Sequence, residues 1–166
     1  GGRSLRADAC VADLATAGVP EDALVVVEGA CPDRLPGGDL LLLNPPPGPC
    51  RTAGIGAPVQ PTRVTSWAES DPRLRFVNLD GVEVHHARGL EPEGPGDALV
   101  RAGETTLVAD VSSPERSGTL VGFDVGDSNW PLKASFVVFL RNIVEQSREH
   151  RARGITGPAR TGEPFR

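Results

Sequence analysis

The apolar residues between positions 136 and 147 recur with the period of an α-helix. They fall at i, i+3, i+4, i+7, i+8 and i+11, so they share one helical face, while charged and amide side chains occupy the other. The residues of the apolar face are Phe136, Phe139, Leu140, Ile143, Val144 and Ser147. The basic residues within 148–153 suit the negative pole of a helix, and Gly154 predicts the end of the helix.

Two short segments near the start of the chain are apolar without any polar alternation. Residues 23–27 (ALVVV) and 40–43 (LLLL) therefore predict strands that are covered on both faces, as in a parallel sheet flanked by helices. A helix is predicted before them, over residues 4–17. Because a parallel crossover needs a strand before its helix, we expect the first strand of this fold to lie upstream of the chain or to have been lost.

The middle of the chain has a different pattern. Strands are predicted at residues 62–67, 82–87, 97–101, 105–111 and 119–123. Because short turns separate most of them, they favour antiparallel hairpins. The predicted fold is therefore α/β, with a parallel-core sheet flanked by helices and an antiparallel strand extension. Between the two regions, the proline-rich residues 45–49 predict a rigid, extended connector.

Composition bounds the organisation of the chain. Its 166 residues suffice for one domain with a core, and its 20 glycines and 16 prolines fall largely in connectors and in the tail. We predict one domain over residues 1–153 and a linker towards a further domain over residues 154–166. The chain does not begin with methionine, which favours a segment of a larger protein.

Charge and aromatic content argue against nucleic acid as a partner. The formal net charge is −5 at pH 7, aromatic residues make up 4% of the chain, and lysine and arginine are not clustered into a stripe. The apolar runs are far shorter than the roughly 20 residues that cross a bilayer. The segment is therefore predicted to be a soluble domain that does not itself insert into a membrane.

The three cysteines, Cys10, Cys31 and Cys50, have no metal-binding spacing. An odd number cannot pair completely, so we expect free thiols rather than a disulfide framework or a zinc site. Cys31 follows a predicted strand, as a nucleophile at a strand–turn–helix elbow would. Pro32 and Asp33 stand where small residues are required, so Cys31 is not expected to act as a nucleophile. No cofactor is predicted.

Two further groups of residues resemble metal sites. Residues 110–113 (DVSS) resemble the start of a metal-ion-dependent adhesion site, but Pro114 interrupts the match, and a hydroxyl-rich turn is the favoured interpretation. Glu83 and His85 share one face of a predicted strand and could bind a metal with a further ligand, whereas His86 points the other way. Ordinary surface or core roles are more frequent for such pairs, so no metal site is assigned.

The richest polar segment follows the predicted strand at residues 119–123. Its candidate interaction residues are Asp124, Asp127, Ser128, Asn129 and Trp130. Loops at the ends of strands are where α/β folds collect ligands and partners. The alternative is that the polar residues supply turn and capping bonds, while Trp130 closes the core.

Residues 120–143, together with residues 35–46, resemble the class I glutamine-amidotransferase-like domain of bacterial membrane-anchored von Willebrand factor A (vWA) proteins of the aerotolerance type. The resemblance implies a flavodoxin-like three-layer fold beside a vWA domain and between transmembrane helices. It also implies a nucleophilic cysteine near residues 44–46 and a late histidine near Asp124, and this sequence has neither. The resemblance therefore argues for the fold and against glutaminase activity.

Two hypotheses about function follow. The first is a non-catalytic interaction or scaffold domain of a larger bacterial membrane-anchored protein. It would use the loop at residues 124–130 and the connector at residues 45–49 to meet other domains of the same polypeptide or envelope-protein subunits. The alternative is a small-molecule or metal-binding hydrolase-like domain that uses the same loop with Glu83 and His85. The thiol content is compatible with either side of the membrane.

Overall fold

The structure is a computed structural model that describes residues 23–32, 38–60 and 62–161. The helix predicted over residues 4–17 lies outside these ranges, as do Cys10 and part of the segment at residues 35–46.

Short strands and one long helix make up most of the described chain. The strands are β1 (Leu24–Glu28), β2 (Asp39–Leu43), β3 (Gly48–Cys50), β4 (Ala53–Val59), β5 (Thr62–Arg63), β6 (Ser66–Trp67), β7 (Glu83–Val84), β8 (Ala87–Pro92), β9 (Ala98–Ala102), β10 (Thr105–Asp110) and β11 (Gly118–Val121). The helix is α1 (Ala134–Thr161), and single 3₁₀ turns occur at Pro72–Leu74, Pro95–Asp97, Val125–Asp127 and Trp130–Leu132.

Nine of these strands form one sheet, with the order β1-β2-β11-β10-β8-β4-β3, while β9 pairs with β10 and with β6. β1, β2 and β11 are parallel to their neighbours in that trio, and the other pairs in the sheet are antiparallel. β5 and β7 pair separately. The mixed α/β fold predicted from the sequence is therefore confirmed, although its core is mostly a curled sheet and the described ranges contain one α-helix, α1, where flanking helices were predicted.

The two faces of the parallel strands pack into different parts of the core. Leu41 of β2 belongs to the apolar cluster that contains Phe139 and Ile143 of α1. The next residue, Leu42, packs instead with a cluster that contains Leu120 and Cys50. Because successive strand residues point to opposite faces, α1 covers one face of β2 and the antiparallel strands fold over the other. This arrangement explains why residues 40–43 carry no polar alternation.

The end of α1 differs from the prediction. The helix was expected to end at Gly154, but its backbone continues to Thr161, so residues 154–161 are helical. A glycine in a helix costs about 1 kcal/mol relative to alanine and does not by itself end the helix. The assignment of residues 154–166 to a linker between domains stays a prediction.

The expectation of free thiols was wrong for two of the cysteines. Cys31 and Cys50 form a disulfide, with 5.8 Å between their Cα atoms. Cys31 lies just beyond β1 and Cys50 lies in β3, and these strands are the two ends of the strand order. The sheet curls so that its ends meet, which brings together two cysteines 19 residues apart in a way that their local sequence does not indicate.

Candidate interaction site

The turn at Pro72–Leu74 begins a loop that presents an aromatic side chain to solvent. Asp71 caps the turn by accepting a hydrogen bond from the backbone N–H of Arg73, and Pro72 supplies a backbone angle suited to the first position. Leu74 and Val77 are buried, and Phe76 between them is 87% exposed. Residues 71–78 are called the Phe76 loop below.

Phe76 has a backbone conformation that large side chains rarely adopt. Its φ is +63°, in the left-handed region, where an L-residue is strained by roughly 1–2 kcal/mol. Such strain persists only where the surrounding structure holds it, and it concentrates at functional sites. The conformation of Phe76 therefore depends on the contacts that hold this loop in place.

Arg73 anchors one side of the Phe76 loop in the core. Its guanidinium donates to both carboxylate oxygens of Asp71, at 2.9 and 3.0 Å, and to Asp110 at 3.1 Å. It also donates to the backbone oxygen of Gly118 and to the hydroxyl of Thr119, both at 3.0 Å. Burial alone lowers the pKa of Arg73, but the hydrogen bond and charge of Asp71, with those of Asp110, raise it above its ordinary value. Arg73 is thus a buried, paired cation that ties the loop to β10 and β11.

The same network accounts for the segment at residues 110–113. The carboxylate of Asp110 accepts from the backbone N–H of Ser112 at 3.1 Å and from its hydroxyl at 2.5 Å. Burial raises the pKa of Asp110, but the hydroxyl of Ser112 and the charge of Arg73 bring it below its ordinary value. The favoured interpretation of this segment, a hydroxyl-rich turn, agrees with these contacts, and the guanidinium of Arg73 pairs with its carboxylate.

Helix α1 provides a second anchor for the Phe76 loop. The side-chain amide of Asn142 donates to the backbone oxygens of Arg73, at 3.0 Å, and of Arg75, at 2.8 Å. These two acceptors lie on the N-terminal side of Phe76, the second of them on its immediate neighbour. Together with the buried side chains of Leu74 and Val77, they fix the backbone so that the ring of Phe76 faces outward.

An open groove of about 680 Å³ runs beside this ring. Trp67 and Phe76 line it together with charged residues of both signs, Glu69, Arg75 and Asp80. The indole Nε1 of Trp67 is buried and has no hydrogen-bond partner among the described residues. Aromatic side chains beside a few polar groups are the usual lining of a binding surface. The Phe76 loop and this groove form the candidate interaction site.

The structure places Trp130, a member of the predicted interaction loop, in the core instead. Trp130 is 1% exposed, and its Nε1 donates to the hydroxyl of Ser135 at 3.1 Å. Its ring packs against those of Phe123, Phe136 and Phe139, with centroid distances of 6.3, 5.2 and 4.8 Å. A side chain buried in this way cannot contact a partner without unfolding of the core, so Trp130 acts as the core closure that the sequence offered as the alternative.

The polar residues of the same loop make turn and capping bonds. The carboxylate of Asp124 accepts from the backbone N–H of Gly126 at 2.8 Å, and the hydroxyl of Ser128 donates to the backbone oxygen of Val125 at 2.8 Å. The side chain of Asn129 bonds to the backbone N–H of Glu83 and to the backbone oxygen of Gly81, at 2.8 and 2.9 Å. The bonds of Asn129 dock the loop on β7 and on the turn before it, whereas those of Asp124 and Ser128 lie within the loop.

Asp127 contacts both histidines that follow β7. The carboxylate of Asp127 lies 3.2 Å from Nδ1 of His86, and its backbone oxygen accepts from the N–H of His85 at 2.8 Å. The carboxylate of Glu83 pairs with Arg63, whose hydrogen bond and charge lower the pKa of Glu83. Within the described ranges, no three His, Cys, Asp or Glu residues are grouped so that they could hold a metal ion.

Asp39, at the start of β2, lies beside Ser147 and His150, which are the three residue types of a catalytic triad but in a different arrangement. The buried carboxylate of Asp39 accepts from the hydroxyl of Ser147 at 2.6 Å and lies 3.1 Å from Nδ1 of His150. In a catalytic triad the imidazole stands between the hydroxyl and the carboxylate, because it takes the proton of the nucleophile. Here the carboxylate stands in the middle, so this constellation joins α1 to β2 and does not activate Ser147.

Part of α1 is apolar and exposed. Val137, Leu140 and Val144, at positions i, i+3 and i+7, are 65%, 36% and 41% exposed, and Leu132 just before the helix is 88% exposed. These residues lie on the border of the face that packs Phe139 and Ile143 into the core. They form a second apolar surface, and none of these residues has the positive φ found at Phe76.

Comparisons of the chain with protein-family models, with curated proteins and with solved structures found no match. None of the helices in the described ranges combines the length and apolar character that a membrane span requires.

Sequence reasoning missed Phe76, Arg73 and the Asp39 constellation. The Asp71-Pro72 dipeptide signals a turn, but not that the following aromatic side chain faces solvent. Arg73 looks like a surface cation in the sequence, since arginine is mostly exposed. Only the tertiary fold brings Asp110 and Asn142 to the loop.

Proposed function

We propose that this chain is a non-catalytic interaction domain of a larger bacterial membrane-anchored vWA-type protein. The observation that carries the proposal is Phe76, an exposed aromatic side chain held in a strained conformation by a buried network. Burial of a phenylalanine side chain in an interface contributes about 1.5–3 kcal/mol. Because the loop is already fixed by Arg73 and Asn142, binding would order few additional groups.

Three features support the absence of catalysis. The sulfur of Cys31 is in a disulfide and therefore is not a thiolate nucleophile. Residues 44–46, where the resemblance implies a catalytic cysteine, are Asn44, Pro45 and Pro46. The hydroxyl of Ser147 is buried and bonded to a carboxylate rather than to an imidazole.

The proposal includes the finer fold assignment, a glutamine-amidotransferase-like, flavodoxin-like three-layer arrangement. The parallel trio β1, β2 and β11 supports it, as does the packing of α1 on one face of that trio. In the family that the sequence resembles, such a domain lies beside a vWA domain. We therefore assign the vWA domain of the same polypeptide as the occupant of the groove between Trp67 and Phe76.

Photo-crosslinking in the full-length protein tests this function. A photoreactive phenylalanine analogue replaces Phe76, and in a matched control the same analogue replaces Leu132, which is equally exposed and apolar. The expected result is an adduct between position 76 and a peptide of the vWA domain, at a yield at least tenfold above that of position 132.

Two outcomes would overturn parts of the proposal. Adducts of position 76 with an envelope-protein subunit would replace the assigned occupant but keep the interaction function. Equal yields at positions 76 and 132, with no discrete adduct, would show that Phe76 is solvated in the assembled protein and has no interaction role.

A further inference from the structure

We infer that this domain folds and works in an oxidising compartment, because the Cys31–Cys50 disulfide is part of its architecture. If the proposed membrane anchoring holds, the domain lies on the outer side of the membrane. The assignment to the outer side rests on the proposed function, whereas the assignment to an oxidising compartment rests on the disulfide alone.

The burial of the bond indicates a permanent rather than an exchanging disulfide. Cys50 is 1% exposed and belongs to the apolar cluster that contains Ala53, Ile55 and Leu90. Cys31 is partly buried and packs against the same cluster. Disulfide exchange requires a thiolate to reach a sulfur atom, and these neighbours restrict its approach.

The position of the bond gives it a structural task. β1 and β3 are the ends of the strand order, and the bond joins the residues just after β1 to β3 itself. β1 and β3 are not neighbours in the strand order, so the bond links the two edges of the curled sheet covalently. A redox catalyst would instead pair close cysteines in an exposed Cys-x-x-Cys turn, whereas 19 residues separate this pair.

Formation of the bond needs an oxidant. The two thiols lose two protons and two electrons when the sulfur–sulfur bond forms, and a disulfide donor of the thiol-oxidase class accepts both as its own bond is reduced to two thiols. Such donors maintain protein disulfides outside the cytosol, while the cytosolic thiol pool keeps most cysteines reduced. A buried, sheet-closing disulfide therefore points to the oxidising side.

Thiol trapping of the full-length protein in growing cells tests the inference. Cys10→Ser removes the third cysteine of this chain, so two remain in the domain. Cells are quenched with acid, and the protein is alkylated with a maleimide polymer of known mass, with and without prior reduction. We expect no polymer on this domain before reduction and two after it. Two polymers before reduction would overturn the inference.

A topology measurement provides a second, independent readout that does not perturb the disulfide. Glu104 lies in the exposed turn between β9 and β10, so Glu104→Cys in the Cys10→Ser background offers an accessible thiol. A small membrane-impermeant maleimide should label it in intact cells as fully as in lysed cells. Labelling only after lysis would overturn the inference, and neither result depends on the Phe76 crosslink.

Discussion

The carboxylate of Asp39 and the hydroxyl of Ser147 are 2.6 Å apart although 108 residues separate them in the chain. Asp39 is the first residue of β2, and Ser147 lies on the buried face of α1. The same carboxylate accepts from the backbone N–H of Ser117 at 2.8 Å, immediately before β11. One buried carboxylate thus holds the C-terminal helix and two parallel strands together.

Ser147→Ala should lower the free energy of unfolding by about 1–2 kcal/mol. The substitution removes the bond to the buried carboxylate and the bond that Arg151 donates to the same hydroxyl at 2.8 Å, and it leaves the contacts of Asp39 with Ser117 and His150 in place. The shift in the denaturant midpoint of the purified domain measures it. Gln146→Ala, one position away and less buried, is the matched control and should shift the midpoint much less. Equal shifts for the two variants would show that the bond to Asp39 carries no stability.

Arg73→Met should be the most destabilising of these changes. It leaves the carboxylates of Asp71 and Asp110 beside a buried apolar chain, and removal of one partner of a buried ion pair costs about 3–5 kcal/mol. We expect about 3 kcal/mol, because both carboxylates keep some contact with water. The control is Arg148→Met, which breaks an exposed pair with Glu145 and should change stability by less than about 1 kcal/mol. Similar losses for both variants would contradict the anchoring role of Arg73.

The contribution of Asp110 should depend on pH in the acid range. Its folded pKa lies below the ordinary value of 3.8, so the folded state favours the ionised form. The resulting stability is fully present above the unfolded pKa and is lost as the pH falls through the folded pKa. Urea unfolding of the wild type and of Asp110→Asn should therefore show a stability difference that is constant from neutral pH to about pH 5 and shrinks below about pH 4. A difference that does not change down to pH 2 would be inconsistent with this linkage.

Phe76→Gly should stabilise the isolated domain by about 1 kcal/mol while weakening its interaction. Glycine adopts a positive φ without the steric cost that other residues carry there, although its greater freedom in the unfolded chain offsets part of the gain. Phe76→Ala removes the ring but keeps the strain, so it is the matched comparison. Thermal unfolding should rank glycine above alanine, and both variants should lose partner binding. If the glycine variant is no more stable than the alanine variant, the backbone at position 76 does not keep its positive φ in solution.

The helical pattern predicted α1 well but could not rank its residues. Phe139 and Ile143 are buried as the periodicity indicates, whereas Leu140 and Val144, from the same predicted face, are partly exposed. The helical period of the apolar residues shows which face of the helix is apolar. How many residues of that face are buried depends on the sheet that packs against it. The parallel strands were also predictable from the local pattern. Residues 40–43 are all leucine, and a strand without polar residues is expected to be covered on both faces.

Tertiary proximity explains what the sequence could not show. Cys31 and Cys50 meet because the sheet curls, and no local spacing encodes that curvature. The carboxylate of Asp127 lies beside His86, whereas His85 bonds to the backbone oxygen of Asp127, because β7 ends at Val84 and the strand alternation does not continue to the histidines. The hydroxyl-rich turn at residues 110–113 was predicted from its own residues, but its partner, Arg73, lies 37 residues from Asp110 in the chain.

The covalent link between Cys31 and Cys50 also limits how far this domain can extend under tension. A chain extends by up to roughly 3.5 Å per residue, so the 19-residue separation between the bonded cysteines corresponds to roughly 65 Å of contour length. A pulling force applied at the two ends of the domain cannot release that length while the bond is intact. In a protein stretched between anchored neighbours, oxidation would therefore shorten the maximum reach of this segment and keep β2 within the loop that the bond encloses.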